Sequence, residues 1–289
     1  MLNSYLARLH FIIFLWGFTA ILGKIITLEA SALVWYRMLF YLIYTFGFCF
    51  FSFKKRLLRF LKNCFLNCWV WAFLMALHWL FFFQSIKVSN VSIALSCIST
   101  TTLFTAITEP IVYKRRLDWL EIIIGIVIVL GMILIFKTEI QYKEGIFYGI
   151  LCALLASIFS VFNGKLHGST TSGNIIFYEI FGGFLVLSGY FGLTGEILNF
   201  TQISWVDFWW VLLLAGLFTA YPMFESIRLM KHISPFTLVL AVNLEPIYGV
   251  VFAYLIFGES EHMSPIFYMA SAVMLAAIFL NGFIKSRRK

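Results

Sequence analysis

The chain reads as an all-α membrane protein whose ten transmembrane helices form two inverted five-helix repeats, residues 1–138 and 139–289. Three observations predict this: an apolar composition with its charge confined to short loops, ten runs long enough to cross a bilayer, and a likeness between the halves at one fixed offset. Of the 289 residues 62% are hydrophobic and only 12% charged, and the mean hydropathy is +0.95, values that exclude an ordinary soluble domain of this length. The formal net charge of +8 sits in loops between apolar runs, not over a folded surface. It therefore speaks for membrane orientation and against a nucleic-acid partner.

A helix needs about 20 apolar residues to cross the hydrocarbon. The first run covers about Leu6 to Ile25; Arg8 stands near its start and no small-residue cleavage site follows, so it is expected to be retained and not removed as a signal peptide. The second covers about Ser31 to Phe53. After the basic stretch Lys54 to Lys62 come the third, about Leu66 to Ile86, and the fourth, about Val91 to Tyr113. Lys114-Arg115-Arg116 leads to the fifth, about Trp119 to Phe136. The second half repeats the scheme with about Gly145 to Asn163, Asn174 to Leu193, Trp205 to Ser226, Pro235 to Phe257 and Pro265 to Ile284.

Sending alternate loops to alternate sides sorts the basic residues. One side collects Arg8, the stretch Lys54 to Lys62, Lys114 to Arg116, Lys165, Arg228, Lys231 and the tail Lys285 to Lys289; the other gets only Lys24, Lys87, Lys137 and Lys143. The positive-inside rule then places both termini in the cytoplasm, in a cell inner (cytoplasmic) membrane. Phe83-Gln84-Ser85-Ile86-Lys87 resembles Phe224-Glu225-Ser226-Ile227-Arg228, and Gly23-Lys24-Ile25 resembles Gly164-Lys165-Leu166, both at a spacing of 141 residues. Five spans separate the copies, so the second is inserted upside down. That architecture lets a single site face either side of the membrane in turn.

Asn243-Leu244-Glu245-Pro246 puts a carboxylate and a helix breaker midway through the ninth run. An ionisable side chain in hydrocarbon costs at least ~2.5 kcal/mol and normally faces a cavity or a partner. Proline removes a backbone donor there. The stretch is expected to wall a polar pocket near the midplane.

The order of Trp16-Gly17 in the first span, Arg37 in the second, Ser85-Ile86-Lys87 leading into the fourth, and Glu245-Pro246 followed by Phe257-Gly258-Glu259 in the ninth resembles the drug/metabolite transporter superfamily, in its EamA-type ten-span branch. The likeness covers essentially the whole chain as two copies of a five-span unit. It implies a central cavity walled mainly by the first, third, fourth, sixth, eighth and ninth spans, and export of small metabolites such as amino acids. Two departures stand out. Where the family usually has a proline in the fourth span and an acidic residue after it, this chain has Thr100-Thr101-Thr102 and then Lys114-Arg115-Arg116. Glu109-Pro110 echoes Glu245-Pro246 but lies nearer the cytoplasmic end than repeat equivalence would put it.

Glu245 is the centre of the expected substrate site, binding a cationic group or taking up a proton, with Asn243 two positions away. The other expected lining residues are Trp16, His78, Trp79, Thr102 and Tyr221; aromatic faces suit apolar groups and, by cation–π contact worth about 0.5 to 2 kcal/mol, ammonium groups. Pro246 and Pro222 are expected to break their helices, and Glu109, Glu225 and Gln84 to stand at gates or helix ends. Each of these has a plainer reading: a tryptophan at depth often packs, and a threonine bonds its own helix. Arg37 and Glu179 occupy approximately matching positions of inverted spans, so each is expected to have its own partner. Trp69, Trp71, Trp119, Trp205, Trp209 and Trp210 lie at run ends and read as interfacial anchors, and Gly125, Gly131 and Gly182-Gly183 read as points of close helix contact.

The cysteines, Cys49, Cys64, Cys68, Cys97 and Cys152, form no CxxC pair and read as reduced thiols without a metal. No phosphate-binding loop, HExxH or acidic cluster of catalytic spacing appears, so neither enzyme activity, ATP-driven transport nor a cofactor is expected. The expected partners are a small-molecule substrate and the lipid bilayer, with a homodimer left open. The residues also leave open nucleotide sugars or cationic drugs as cargo, and an integral-membrane enzyme or scaffold as the alternative class.

Overall fold

A computed structural model describes residues 2–49, 57–114, 116, 118–166, 172–195, 203–229 and 241–287. The expected start of the ninth span at Pro235, and the basic residues Lys54, Lys55, Arg56, Arg115 and Lys231, lie outside the described residues. Among the described residues the chain is nearly all helical and holds no strand. In order come α1 (Leu2–Ile25), α2 (Ala30–Cys49), α3 (Leu57–Val88), α4 (Val91–Ile98), α5 (Thr101–Tyr113), α6 (Trp119–Thr138), α7 (Lys143–Leu166), α8 (Ser172–Thr194) and α9 (Trp205–Ala215). A π-helical turn (Gly216–Ala220), α10 (Tyr221–Leu229), α11 (Glu245–Phe257) and α12 (Pro265–Arg287) complete the order.

Seven stretches of the described residues are long and apolar enough to cross a membrane: Tyr5–Ile25, Val70–Val88, Val91–Tyr113, Trp119–Thr138, Ile140–Phe162, Ile176–Thr194 and Trp205–Ser226. Pro265–Leu280 is a shorter apolar helix.

The helices depart from the apolar runs in four places, each with a local cause. The third run begins earlier than its apolar part, because nothing between Leu57 and Leu66 breaks a helix and the basic residues ride on its first turns. The fourth run is not continuous: it stops at Ile98 and restarts at Thr101. Ser99 and Thr100 turn there, the Thr100 hydroxyl donating to the Cys97 carbonyl at 2.6 Å while the Thr100 amide bonds the same oxygen at 3.0 Å. Hydroxyls that compete for backbone carbonyls loosen a helix interior. In the eighth run Pro222 has no N–H and its ring clashes one turn back. Upstream of it Gly216–Ala220 widen into the π turn, and the Thr219 hydroxyl donates to the Leu214 carbonyl, five residues back, at 2.7 Å.

The ninth run turns at Asn243 and Leu244 and restarts as α11, where Pro246 occupies the first turn. Proline costs nothing at that position, because the first N–H groups of a helix have no partner anyway. Pro246 is thus the start of a helix and not a kink within one.

Helices of the first half pack chiefly on helices of the second: α1 on α11, α2 on α8 and α9, α3 on α7 and α8, α4 on α7 and α11, α6 on α12. The main buried cluster runs through this seam, from Leu33, Met38 and Phe83 of the first half to Ile180, Leu214 and Ala253 of the second. α1 and α11 approach each other closely. A Cβ on Gly17 would lie 3.1 Å from Tyr248 Cβ and 3.3 Å from the Glu245 carbonyl, and a Cβ on Gly249 would strike Leu95 of α4. Small residues at both positions let the two backbones meet. Gly183 does the same for α8 against the Ala72 carbonyl of α3, and Gly131 for α6 against Met274 of α12.

Candidate functional site

The groups of charged or polar character that meet inside the bundle come from several helices. Arg37, on α2, is only 4% exposed. Its Nε donates to the Thr219 hydroxyl in the π turn at 3.0 Å, and its guanidinium lies over the Trp79 ring at 3.9 Å, with Phe83 at 5.4 Å. Desolvated contacts of this kind are worth about 2 kcal/mol or more. The terminal Nη atoms make no hydrogen bond among the described residues.

Glu245 opens α11 directly after the turn and is half-buried. Among the described residues no ion pair joins Glu245 to Arg37. The π turn, which no run pattern announces, supplies Thr219 to this group.

His78 of α3 sets its Nδ1 3.0 Å from the Cys152 carbonyl and 3.2 Å from the Cys152 sulfur of α7. A carbonyl only accepts, so Nδ1 carries the proton and Nε2 of the neutral ring is left as an acceptor. Five rings link the segments that carry Glu245 and Thr219. Tyr248 and Phe252 of α11 meet Phe14 of α1 at 6.0 and 5.4 Å between centroids, Phe252 meets Phe18 at 5.1 Å, and Phe18 meets Phe218 of the π turn at 6.0 Å. Nothing in the sequence sets the five rings of this aromatic wall apart from the other aromatic residues.

The remaining expected residues are dispersed around this centre. Trp79 is 5% exposed beneath Arg37. Trp16 packs with Leu9, Ile12, Ile13 and Leu229, beside Val242 and Leu244. Asn243 is half-buried in the turn before Glu245, and Thr102 is half-buried in the first turn of α5. Tyr221 is 43% exposed and meets Phe11 edge to face. Glu109 and Gln84 are half-buried on α5 and α3, and Pro110 is buried inside α5. Trp71, read as an interfacial anchor, stacks on Phe162 with centroids 4.0 Å apart. Trp119, Trp205 and Trp209 are exposed.

Both ends of α1 are tied to the second half. At one end Arg8 pairs with buried Glu225, which also stands 3.8 Å from Arg228. At the other, Lys24 donates to Glu261 at 2.8 Å and to Ser260 at 2.9 Å. Gly258, at φ +56°, turns the chain after α11 so that Glu261 enters the protein. There the fully buried carboxylate also accepts from the Val91 and Ser92 amides at 2.9 Å and the Ser92 hydroxyl at 2.7 Å, closing the N-terminus of α4. Asn90 completes that cap through the Ile93 amide at 2.8 Å. Around the same end Asp207 accepts from the Thr27 amide at 2.8 Å, and Lys87 donates to the Ile26 carbonyl.

These features define a multi-pass helical membrane protein with oppositely charged groups held at the seam of its halves. The sequence matches the EamA-like transporter family twice, over residues 9–137 and 143–283, and the chain belongs to that family. No protein of curated function matches the sequence. A solved structure described as "Crystal structure of protein" is similar over 99% of this chain and 99% of its own, with a TM-score of 0.65 at 15% identity, a likeness of fold alone.

Proposed function

We propose that the protein is a secondary transporter that moves a small metabolite, such as an amino acid, outward across the inner (cytoplasmic) membrane through a cavity between its two halves. In this reading residues 1–138 and 139–289 are inverted five-helix repeats, the spans number ten, both termini are cytoplasmic, and the halves rock about the seam so that the site faces each side in turn. The observation that carries it is Glu245, an acid at a helix break where α11 of the second half meets α1 of the first. A charge so placed costs free energy at every moment of the protein's life, and such residues mark ion or substrate paths.

Glu245 takes the cationic group of the cargo or a coupling proton, Asn243, His78 and Trp79 flank it, and the aromatic wall accepts the apolar part. Arg8 with Glu225 and Lys24 with Glu261 act as the contacts that close the two ends of α1. Counterflow of labelled amino acids into proteoliposomes, with and without a pH gradient, tests the reading. Specific flux supports it, and a gradient dependence assigns the coupling ion. Absence of flux from folded protein, across a panel extended to nucleotide sugars and cationic drugs, overturns it.

A further inference from the structure

We propose that the groove between α5 and α6 binds one anionic phospholipid of the surrounding bilayer, with an acyl chain lying along the groove and the phosphate at the basic residues Lys114 and Arg116. The site is on the outer side of the bundle, away from the seam, and does not depend on what the protein carries.

The groove exists because two consecutive helices lean on different neighbours. α5 packs chiefly on α7 and α6 chiefly on α12. The Thr105 and Thr108 hydroxyls lie 3.2 and 2.7 Å from that of Ser157, and the Tyr113 hydroxyl donates to the Val161 carbonyl at 3.2 Å, which holds α5 to α7. Ile128, Met132 and Ile135 share a buried cluster with Phe267, Met274 and Ile278, which holds α6 to α12. Between the two pairs a groove of about 300 Å³ stays open, a size at which ligand sites begin. Inside it the helices meet at Leu103 and Gly125, where an added Cβ would lie 2.7 Å from Leu103 Cδ1.

Its dimensions and its charge fit a lipid. Leu103, Ala106 and Ile107 of α5 form one wall, and the other runs along α6 from Glu121 to Leu130. At the helical rise that wall is about 14 Å long, close to half of the roughly 30 Å hydrocarbon core and so to the depth of one leaflet. Ile107, Ile126 and Leu130 are 49%, 55% and 56% exposed, an apolar rim suited to an acyl chain. The groove's outer end lies beside the α5–α6 connection, where Trp119 is 78% exposed, as at a membrane interface. There Lys114, at φ +53°, turns the chain out of α5, and both Lys114 and Arg116 are exposed. The acids nearby are taken up by the protein: Asp118 accepts from the Leu120 amide at 2.9 Å, and Glu121 is 4% exposed. A phosphate on an anionic lipid gains about fivefold in binding from each Lys or Arg near the membrane surface. A lipid without net charge does not.

The test is native mass spectrometry of the full chain in detergent, titrated with dioleoyl phosphatidylglycerol or dioleoyl phosphatidylcholine. Native protein is expected to take up one saturable phosphatidylglycerol, about 10- to 30-fold more tightly than phosphatidylcholine, as two basic residues at about fivefold each require. Lys114→Gln with Arg116→Gln brings that ratio close to one. Ala106→Phe fills the groove and removes the saturable adduct. Ile126→Trp fills it from the rim and serves as the second readout if the phenylalanine variant does not fold. Val273→Phe, on the exposed face of α12, leaves the adduct unchanged. Millimolar glycerol 3-phosphate, which has the headgroup's charge and no chain, does not displace the lipid.

Equal affinity for the two lipids, or a preference untouched by the loss of both basic residues, overturns the anionic site. So does an adduct that survives both groove-filling variants, or a ladder of equivalent adducts with no saturable first one. Displacement by glycerol 3-phosphate would make the site one for a free phosphate ester, and a native dimer that either groove-filling variant dissociates would give the groove to a second copy of the chain.

Discussion

Arg37 and Glu245 show how a charge is tolerated where the solvent is hydrocarbon. Arg37 sits between an aromatic face and a hydroxyl, and both partners can be removed without touching the charge. Thr219→Val leaves a buried guanidinium N–H unpaired, so thermal unfolding in detergent should show a loss of about 2 kcal/mol, with Thr219→Ser close to native. A valine variant as stable as the native protein would mean that the contact with Trp79 alone carries Arg37. The sequence marks Arg37 as the one basic residue deep within a span, and Glu245 by its position beside a proline. It does not mark Thr219, whose hydroxyl reaches Arg37 only because the π turn shifts the register of that helix by a residue. Nor does it mark the five-ring wall, since phenylalanine is frequent along the whole chain and only the crossing of α1, α11 and the π turn selects these rings.

At the scale of elements, apolar runs locate helices well because length and composition decide membrane crossing. They locate breaks poorly. Asn243-Leu244-Glu245-Pro246 announced one break through its proline, but proline's place at the head of α11 depends on the turn before it. The break at Ser99 and Thr100 has no proline at all. What holds the half-helices is packing, and two tests follow.

Gly249→Val forces a branched side chain into Leu95 of α4 beside the α1 backbone, and overpacking of this kind costs about 1 to 3 kcal/mol. Leu95→Ala should recover part of that loss in the double variant, a non-additivity read from thermal unfolding. Strict additivity would mean that α4 and α11 do not meet there. Glu261→Ala strips the carboxylate from Lys24 and from two amides at the head of α4, and a broken buried pair costs about 3 to 5 kcal/mol. Lys24→Met leaves the three α4 donors in place and should cost clearly less. The reverse order would show that the ion pair, not the helix cap, is the stronger role of Glu261.

At the scale of the whole molecule, the two sequence halves are not two globules. Their helices alternate across one seam, and each end of α1, about 24 Å apart between Arg8 and Lys24 at the helical rise, is fastened to the second half. A protein that opens its seam to each side in turn must release these ends alternately. Cross-linking cysteines placed at 24 and 260, or at 8 and 225, should therefore abolish net flux, and reduction of the link should restore it. Undiminished flux with both ends linked would show that the seam does not open at α1.

The central claim, that the acid at the head of α11 is the working centre of a transport site, is tested most directly by comparing native protein with Glu245→Gln in counterflow of labelled amino acids into proteoliposomes. The account predicts specific native flux and a fall of at least about 10-fold in the glutamine variant, the loss expected when a charge-assisted hydrogen bond to cargo is removed, in protein of unchanged fold. Flux equal to native in Glu245→Gln would contradict it.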